Sequence, residues 1–206
     1  MKKMKILALS ALLAFTGIAA NAQKFTEGDT KLSFLNGQTK LNIEYNYDKM
    51  MVGDKTEAQY IKEKKAAYDA KEPGKGKRWE EKWIASRKSS YEYMFEELLN
   101  KLLEKENTGM NSAQKITDAK YTLVVKTVMT DPGFNAVVMK KNPKCEFEIS
   151  FIETATKKVV AKGELKASGV LMGGSDWDFD PSNSIKECYA KAGKEVGKSI
   201  GKAIGK

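Results

Sequence analysis

The densest chemistry in the chain is Asp176-Trp177-Asp178-Phe179-Asp180, three carboxylates at alternate positions with Ser182, Ser184 and Glu187 beyond them. Oxygen ligands at that spacing imitate a calcium loop. The imitation breaks at Pro181, where a sharp calcium-loop turn requires glycine, and Asn183 follows as a polar residue. Acids clustered before a helix are also favourable through the helix dipole alone. Helix-start chemistry is therefore the better reading, with Asp176, Asp178 and Asp180 kept as weak calcium candidates. No cofactor is expected.

Histidine is absent. That excludes a Ser-His-Asp triad, a Cys-His dyad, His-ligated zinc and a histidine pH switch. Carboxylate pairs and Ser-Lys arrangements remain. Glu146 and Glu148 fall at i and i+2 on one strand face, a spacing open to acid–base work on glycosides, but alternating acids on a strand are normally its wet side. Ser168 with Lys166 forms no recognisable motif. A non-catalytic role is favoured over an enzymatic one.

Pro73-Gly74-Lys75-Gly76-Lys77-Arg78 lacks both the preceding strand and the spacing of a phosphate loop. It reads as a cationic turn between helices, with Lys75, Lys77 and Arg78 available to an acidic partner. Trp79 and Trp83, at i and i+4, read as a buried face, and Trp177 and Phe179 as partner contacts. At the carboxy terminus Gly193, Gly197, Gly201 and Gly205 repeat at every fourth position, each followed by lysine. A terminal helix packed on the core with a solvated lysine edge is favoured over a basic amphipathic segment on an anionic membrane.

The elements that carry these residues follow a leader. Lys2, Lys3 and Lys5 precede the apolar run Ile6 to Ala20, and Ala20-Asn21-Ala22 is a cleavage site that makes Gln23 the mature terminus. The run is short for a membrane span, and no cysteine follows it for a lipid anchor. A secreted or periplasmic protein is expected. The net charge of +9 falls when the leader's lysines are removed, and interspersed signs such as Lys62-Glu63-Lys64-Lys65 argue against a nucleic-acid groove. In an oxidising compartment two readings stand for Cys145 and Cys188: one disulfide, or two buried unpaired thiols.

Residues 23–30 read as a flexible terminus and 31–206 as one domain. Asn36-Gly37 suits a tight hairpin over about 31–48. Helical spacing follows over 56–71 and again over about 78–106, the two forming a helical insertion. Tyr121 to Met129, Asn135 to Met139, Cys145 to Glu153 and Lys158 to Ala167 read as strands, and 169–180 as a loop. Asp180-Pro181 starts a last helix. The fold class is α+β: a single two-layer domain, a mostly antiparallel sheet with helices on one face, and a C-terminal helix.

The segments D-A-K-Y-T-L-V-V-K-T (118–127), D-P-G-F-N (131–135), E-F-E-I-S-F-I-E-T (146–154) and E-C-Y-A-K-A-G-K (187–194), with D-F-D before the last, resemble uncharacterised secreted proteins of Bacteroidetes-type bacteria. The resemblance covers about 115–206. More distantly, the element order is similar to small α/β domains of envelope accessory proteins, the activators of penicillin-binding proteins and the curli secretion factors. It implies a non-catalytic domain binding an envelope protein or glycan, without nucleic acid, and with the solvated sheet face and the 169–180 loop as contacts. The rivals are a membrane-surface protein using the 193–206 edge and a carboxylate-dependent hydrolase.

Overall fold

The computed structural model describes residues 24–135, 140–170 and 182–205. The leader, the 171–181 segment with Asp176, Trp177, Asp178, Phe179 and Asp180, and residues 136–139 of the expected strand at 135–139 lie outside them. Along the chain come β1 (Lys24–Gly28), β2 (Lys40–Asn46), β3 (Met51–Val52), β4 (Lys55–Thr56), α1 (Glu57–Asp69), α2 (Lys75–Ser86) and α3 (Tyr93–Lys105). Then follow β5 (Asn111–Gln114), β6 (Tyr121–Asp131), β7 (Phe134–Asn135), β8 (Lys140–Lys141), β9 (Lys144–Glu153), β10 (Val159–Ser168) and α4 (Ser182–Ile204). A π-helical stretch, Arg87–Glu92, joins α2 to α3 without a break, so the long helix expected from 78 is one run of helix.

The main sheet is ordered β1-β10-β9-β6-β2-β5, with β3 beside β6 and β4 beside β3. The β6–β9–β10 meander is antiparallel, as its alternation predicts. The other half is parallel: β2 pairs with both β5 and β6, and the sheet is mixed. Leu41, Ile43, Leu123, Val125, Cys145, Phe147, Ile149, Phe151 and Leu165 are buried on one face, where α4 packs across β9 and β10. Glu146, Glu148, Lys162, Glu164 and Lys166 occupy the other face, as period-two alternation requires.

Three expectations are corrected. Residues 24–28 are a strand rather than a flexible terminus: they pair antiparallel with β10, and Phe25 is buried beside Phe151. The hairpin at 31–48 does not form. Leu32 and Leu35 are both buried, which requires the chain to turn rather than alternate. It folds into a 3-10 turn, Ser33–Leu35, with the Asp29 carboxylate accepting from the Lys31 and Phe34 amides. Finally, Lys75, Lys77 and Arg78 belong to the first turn of α2, not to an inter-helix turn. Cations there oppose the helix dipole, and acids answer them. The Asp69 carboxylate accepts from the Gly76 amide at 2.8 Å, while Glu72 pairs with Arg78 and Lys75.

The glycine repeat is a contact surface. A Cβ on Gly193 would lie 2.1 Å from the Phe95 carbonyl oxygen, one on Gly197 2.6 Å from Leu102 Cβ, and one on Gly201 2.4 Å from Glu106 Cγ. Bare glycine lets α4 lie directly on α3, and Val196 and Ile200 are buried beside it. Lys194 is exposed. Gly193→Val should therefore cost more than about 2 kcal/mol in urea unfolding, whereas Lys194→Ala should stay within about 0.5 kcal/mol. Equal effects would contradict the close packing.

Candidate functional site

α1 and α2 form an arm beside the end of the sheet, and one carboxylate of α1 joins it to α2 and to the π-helical stretch that follows. Thr56 caps α1 in a reciprocal box with Gln59, which places Glu57 in the first turn. Glu57 accepts from Trp83 Nε1 at 2.7 Å and from Arg87 Nη2 at 2.5 Å. Arg87 in turn lies over the Tyr47 ring, 4.4 Å from its centroid. Within the arm, Tyr60 packs against Trp79 and Trp83, which stack on each other. Gly76 marks the crossing of α1 and α2, since a Cβ there would lie 2.5 Å from the Lys65 carbonyl oxygen.

Behind this tie sits a polar network on the π-helical stretch, a helix irregularity frequent at functional sites. Tyr45 Oη donates to the Glu92 carbonyl at 3.2 Å and Tyr47 Oη to the Glu92 carboxylate at 3.3 Å. Gln114 Nε2 donates to Glu92 at 3.0 Å and to Glu96 at 2.8 Å. Burial pushes the Tyr45 phenol far above its ordinary 10.0, and the charges of Glu96 and Glu92 push it further. Burial and then Glu92 raise Tyr47 likewise. Both phenols thus stay protonated as fixed donors and are poor proton carriers near neutrality.

The arm and the sheet end enclose a cleft of about 300 Å³, lined by the β3–β4 turn, by Tyr60 and Lys64 of α1, and by Asp131, Pro132, Gly133 and Phe134. Val52 and Pro132 are buried at its base, and Phe134 is 38% exposed. Two amines, Lys55 and Lys64, and two carboxylates, Asp54 and Asp131, stand among its lining residues. Asp131 is braced: its carboxylate accepts from the Gly133 amide at 2.9 Å and pairs with Lys141 at 2.5 Å. Such a recess combines apolar walls with a few polar groups, the usual make-up of a small-ligand site.

The residues singled out in the sequence fall elsewhere. Glu146 and Glu148 lie on the solvent-facing sheet surface, each 2.9 Å from a lysine of β10, Lys166 and Lys162. Those carboxylates raise the lysine amines above their ordinary range, the behaviour of cross-strand ion pairs. Ser168 Oγ donates to the Pro143 carbonyl at 3.2 Å, and the Lys166 amine is engaged by Glu146. Lys75, Lys77 and Arg78 pair with acids of the arm. Cys145 and Cys188 are buried free thiols. Among the described residues, no group of three or more Cys, Asp or Glu side chains could hold a metal ion, and no helix is long and apolar enough to cross a membrane.

Sequence reading missed the network and the cleft. The only local signals were Tyr45 and Tyr47 sharing a strand phase, and Glu92 and Glu96 one helical turn apart. Gln114, Arg87 and Glu57 join them solely through folding, as Phe134 joins Tyr60 at the cleft.

No family model and no curated protein matches the chain, so neither supports the resemblance of 115–206 to Bacteroidetes-type secreted proteins. Solved structures similar to it include the PelC dodecamer from Paraburkholderia phytofirmans, at 12% identity and a TM-score of 0.41 over 84% of this chain and 95% of that one. Others are a minor lipoprotein from Acinetobacter baumannii (8% identity, TM-score 0.33, 80% of this chain and 93% of that one) and a hypothetical protein from Chlamydia trachomatis (10%, 0.37, 79% and 98%).

Two measurements check the network. A phenol whose folded pKa is raised contributes stability that is complete below the unfolded value of 10.0 and is lost as pH rises beyond it. Tyr45→Phe should therefore cost about 1 kcal/mol at neutral pH through the lost hydrogen bond and flatten the alkaline fall in stability. An unchanged alkaline limb would contradict the assignment. Glu57→Ala should cost about 1–3 kcal/mol in urea unfolding, since the buried Trp83 N–H and the Arg87 guanidinium lose their acceptor, and an unchanged midpoint would contradict the tie.

Proposed function

We propose that the chain is a secreted or periplasmic, non-catalytic binding domain that takes part of another envelope component, protein or glycan, into the cleft between the helical arm and the sheet end. One observation carries this reading. A recess with buried Val52 and Pro132, aromatic Tyr60 and Phe134, and amines and carboxylates among its lining residues stands beside the Glu57 tie, with Asp131 held by the Gly133 amide and Lys141. Braced polar and aromatic groups suit recognition, because little side-chain entropy remains to be lost on binding.

The carboxylate hydrolase reading is weakened by the lysine partners of Glu146 and Glu148. The membrane reading is weakened by α4 itself. Its apolar stripe, Ile185, Ala192, Val196 and Ile200, is buried within the protein, so only lysines would face a bilayer, and an interfacial helix needs an apolar face to insert.

A photo-crosslinking residue in place of Phe134, compared with one in place of Val159, which is 51% exposed in β10, tests the site in native cells. An envelope component captured from position 134 and absent from position 159 is the expected result. Capture from 159 with none from 134 would sink the cleft as the contact.

A further inference from the structure

Cys145 points from β9 into the core in phase with Phe147, and Cys188 occupies the buried face of α4. Each is 0% exposed. Both belong to one buried core cluster, Cys188 adds to burial in pushing the Cys145 thiol up, and Thr130 Oγ1 lies 3.3 Å from Cys145 Sγ. The end of β10 closes over this pair. Ala167 is the register partner of Cys145, and a Cβ on Gly169 would stand 3.3 Å from Cys188 Sγ, 2.6 Å from the Ser184 carbonyl oxygen and 2.8 Å from Pro143 Cγ. The Gly169 amide donates to the Pro143 carbonyl at 2.9 Å, and Lys191 Nζ donates to the Ser168 carbonyl at 2.5 Å. Strand end, helix start and both thiols form one tightly packed knot.

We propose that Cys145 and Cys188 are a cross-linking site: when the chain folds under oxidising conditions they form one intramolecular disulfide that staples α4 to β9. The oxidant belongs to the disulfide class. One cysteine thiolate displaces a sulfur of the oxidant to give a mixed disulfide. The second thiol, losing its proton, then displaces the remaining sulfur, so the oxidant leaves as a dithiol with the two electrons and two protons. Only the thiolate attacks, and burial pushes the Cys145 thiol up. The bond therefore closes before α4 is fully seated, and afterwards the core shields it from soluble reductants.

The test unfolds the purified full chain and refolds it with oxidised glutathione, in parallel with a reduced-glutathione control. Alkylation under denaturing conditions and intact mass are then read. The expected product is a monomer with no alkylatable thiol, lighter than the alkylated control by the mass of two alkyl groups. Its thermal midpoint should exceed the control's by about 5–10 °C. Cys188→Ala should leave one alkylatable thiol and a midpoint indifferent to the glutathione used. A cooperatively folded wild-type product with two alkylatable thiols would overturn the proposal, as would a cross-linked dimer.

Discussion

The contact on which the rest of the molecule depends is the glycine edge of α4, where Gly193 lies on the Phe95 carbonyl of α3, Gly197 on Leu102 and Gly201 on the Glu106 side chain at its end. Glycine in a helix interior costs about 1 kcal/mol per residue relative to alanine, and here that cost is offset by close approach. Because α4 sits so low, Tyr189 reaches Thr127 with a 2.6 Å hydroxyl contact, stacks on Tyr91 and meets Phe147 edge-on. The same seating brings Cys188 to Cys145. A side chain at Gly193 would lift the helix away from the sheet and open all of these contacts together.

A second constraint governs the other end of the sheet. The arm of α1 and α2 shares its buried aromatics Tyr68, Trp79 and Trp83 with the main core, and charged and polar groups, Glu57, Arg87 and Tyr47, add contacts beside them. Polar ties of this kind are directional, so they help fix the arm's angle while the shared core supplies its attachment. That angle creates the cleft. Tyr60 arrives from the arm, Phe134 from the turn after β6, and Asp131 is held in place by Lys141 and the Gly133 amide.

The uncovered sheet face shows how readily a run of charges can imitate a site. Glu148 stands opposite Glu164 in the register with β10, a repulsive pair, and Lys126 of β6 and Lys162 of β10 flank it on either side. Glu146 has Lys166 directly opposite. Lysines beside each of these glutamates offset the like-charge pair and support the register.

Much of the architecture was legible because its causes are local. Period-two alternation marked β6, β9 and β10, helical spacing marked α1, the run from α2 to α3, and α4, and the α+β class followed from their order. The glycine repeat was read as a packing surface, although nothing local named α3 as its partner. Long-range relations stayed hidden. The strand at 24–28 exists because β10 offers it an edge, β2 runs parallel to β5 and β6 instead of folding into a hairpin, and Glu57 finds Trp83 and Arg87 across two helices. Local sequence sets the torsions and the face that each segment buries. Which faces meet is decided by the total burial of the whole chain, and the cleft and the thiol pair belong to that second level.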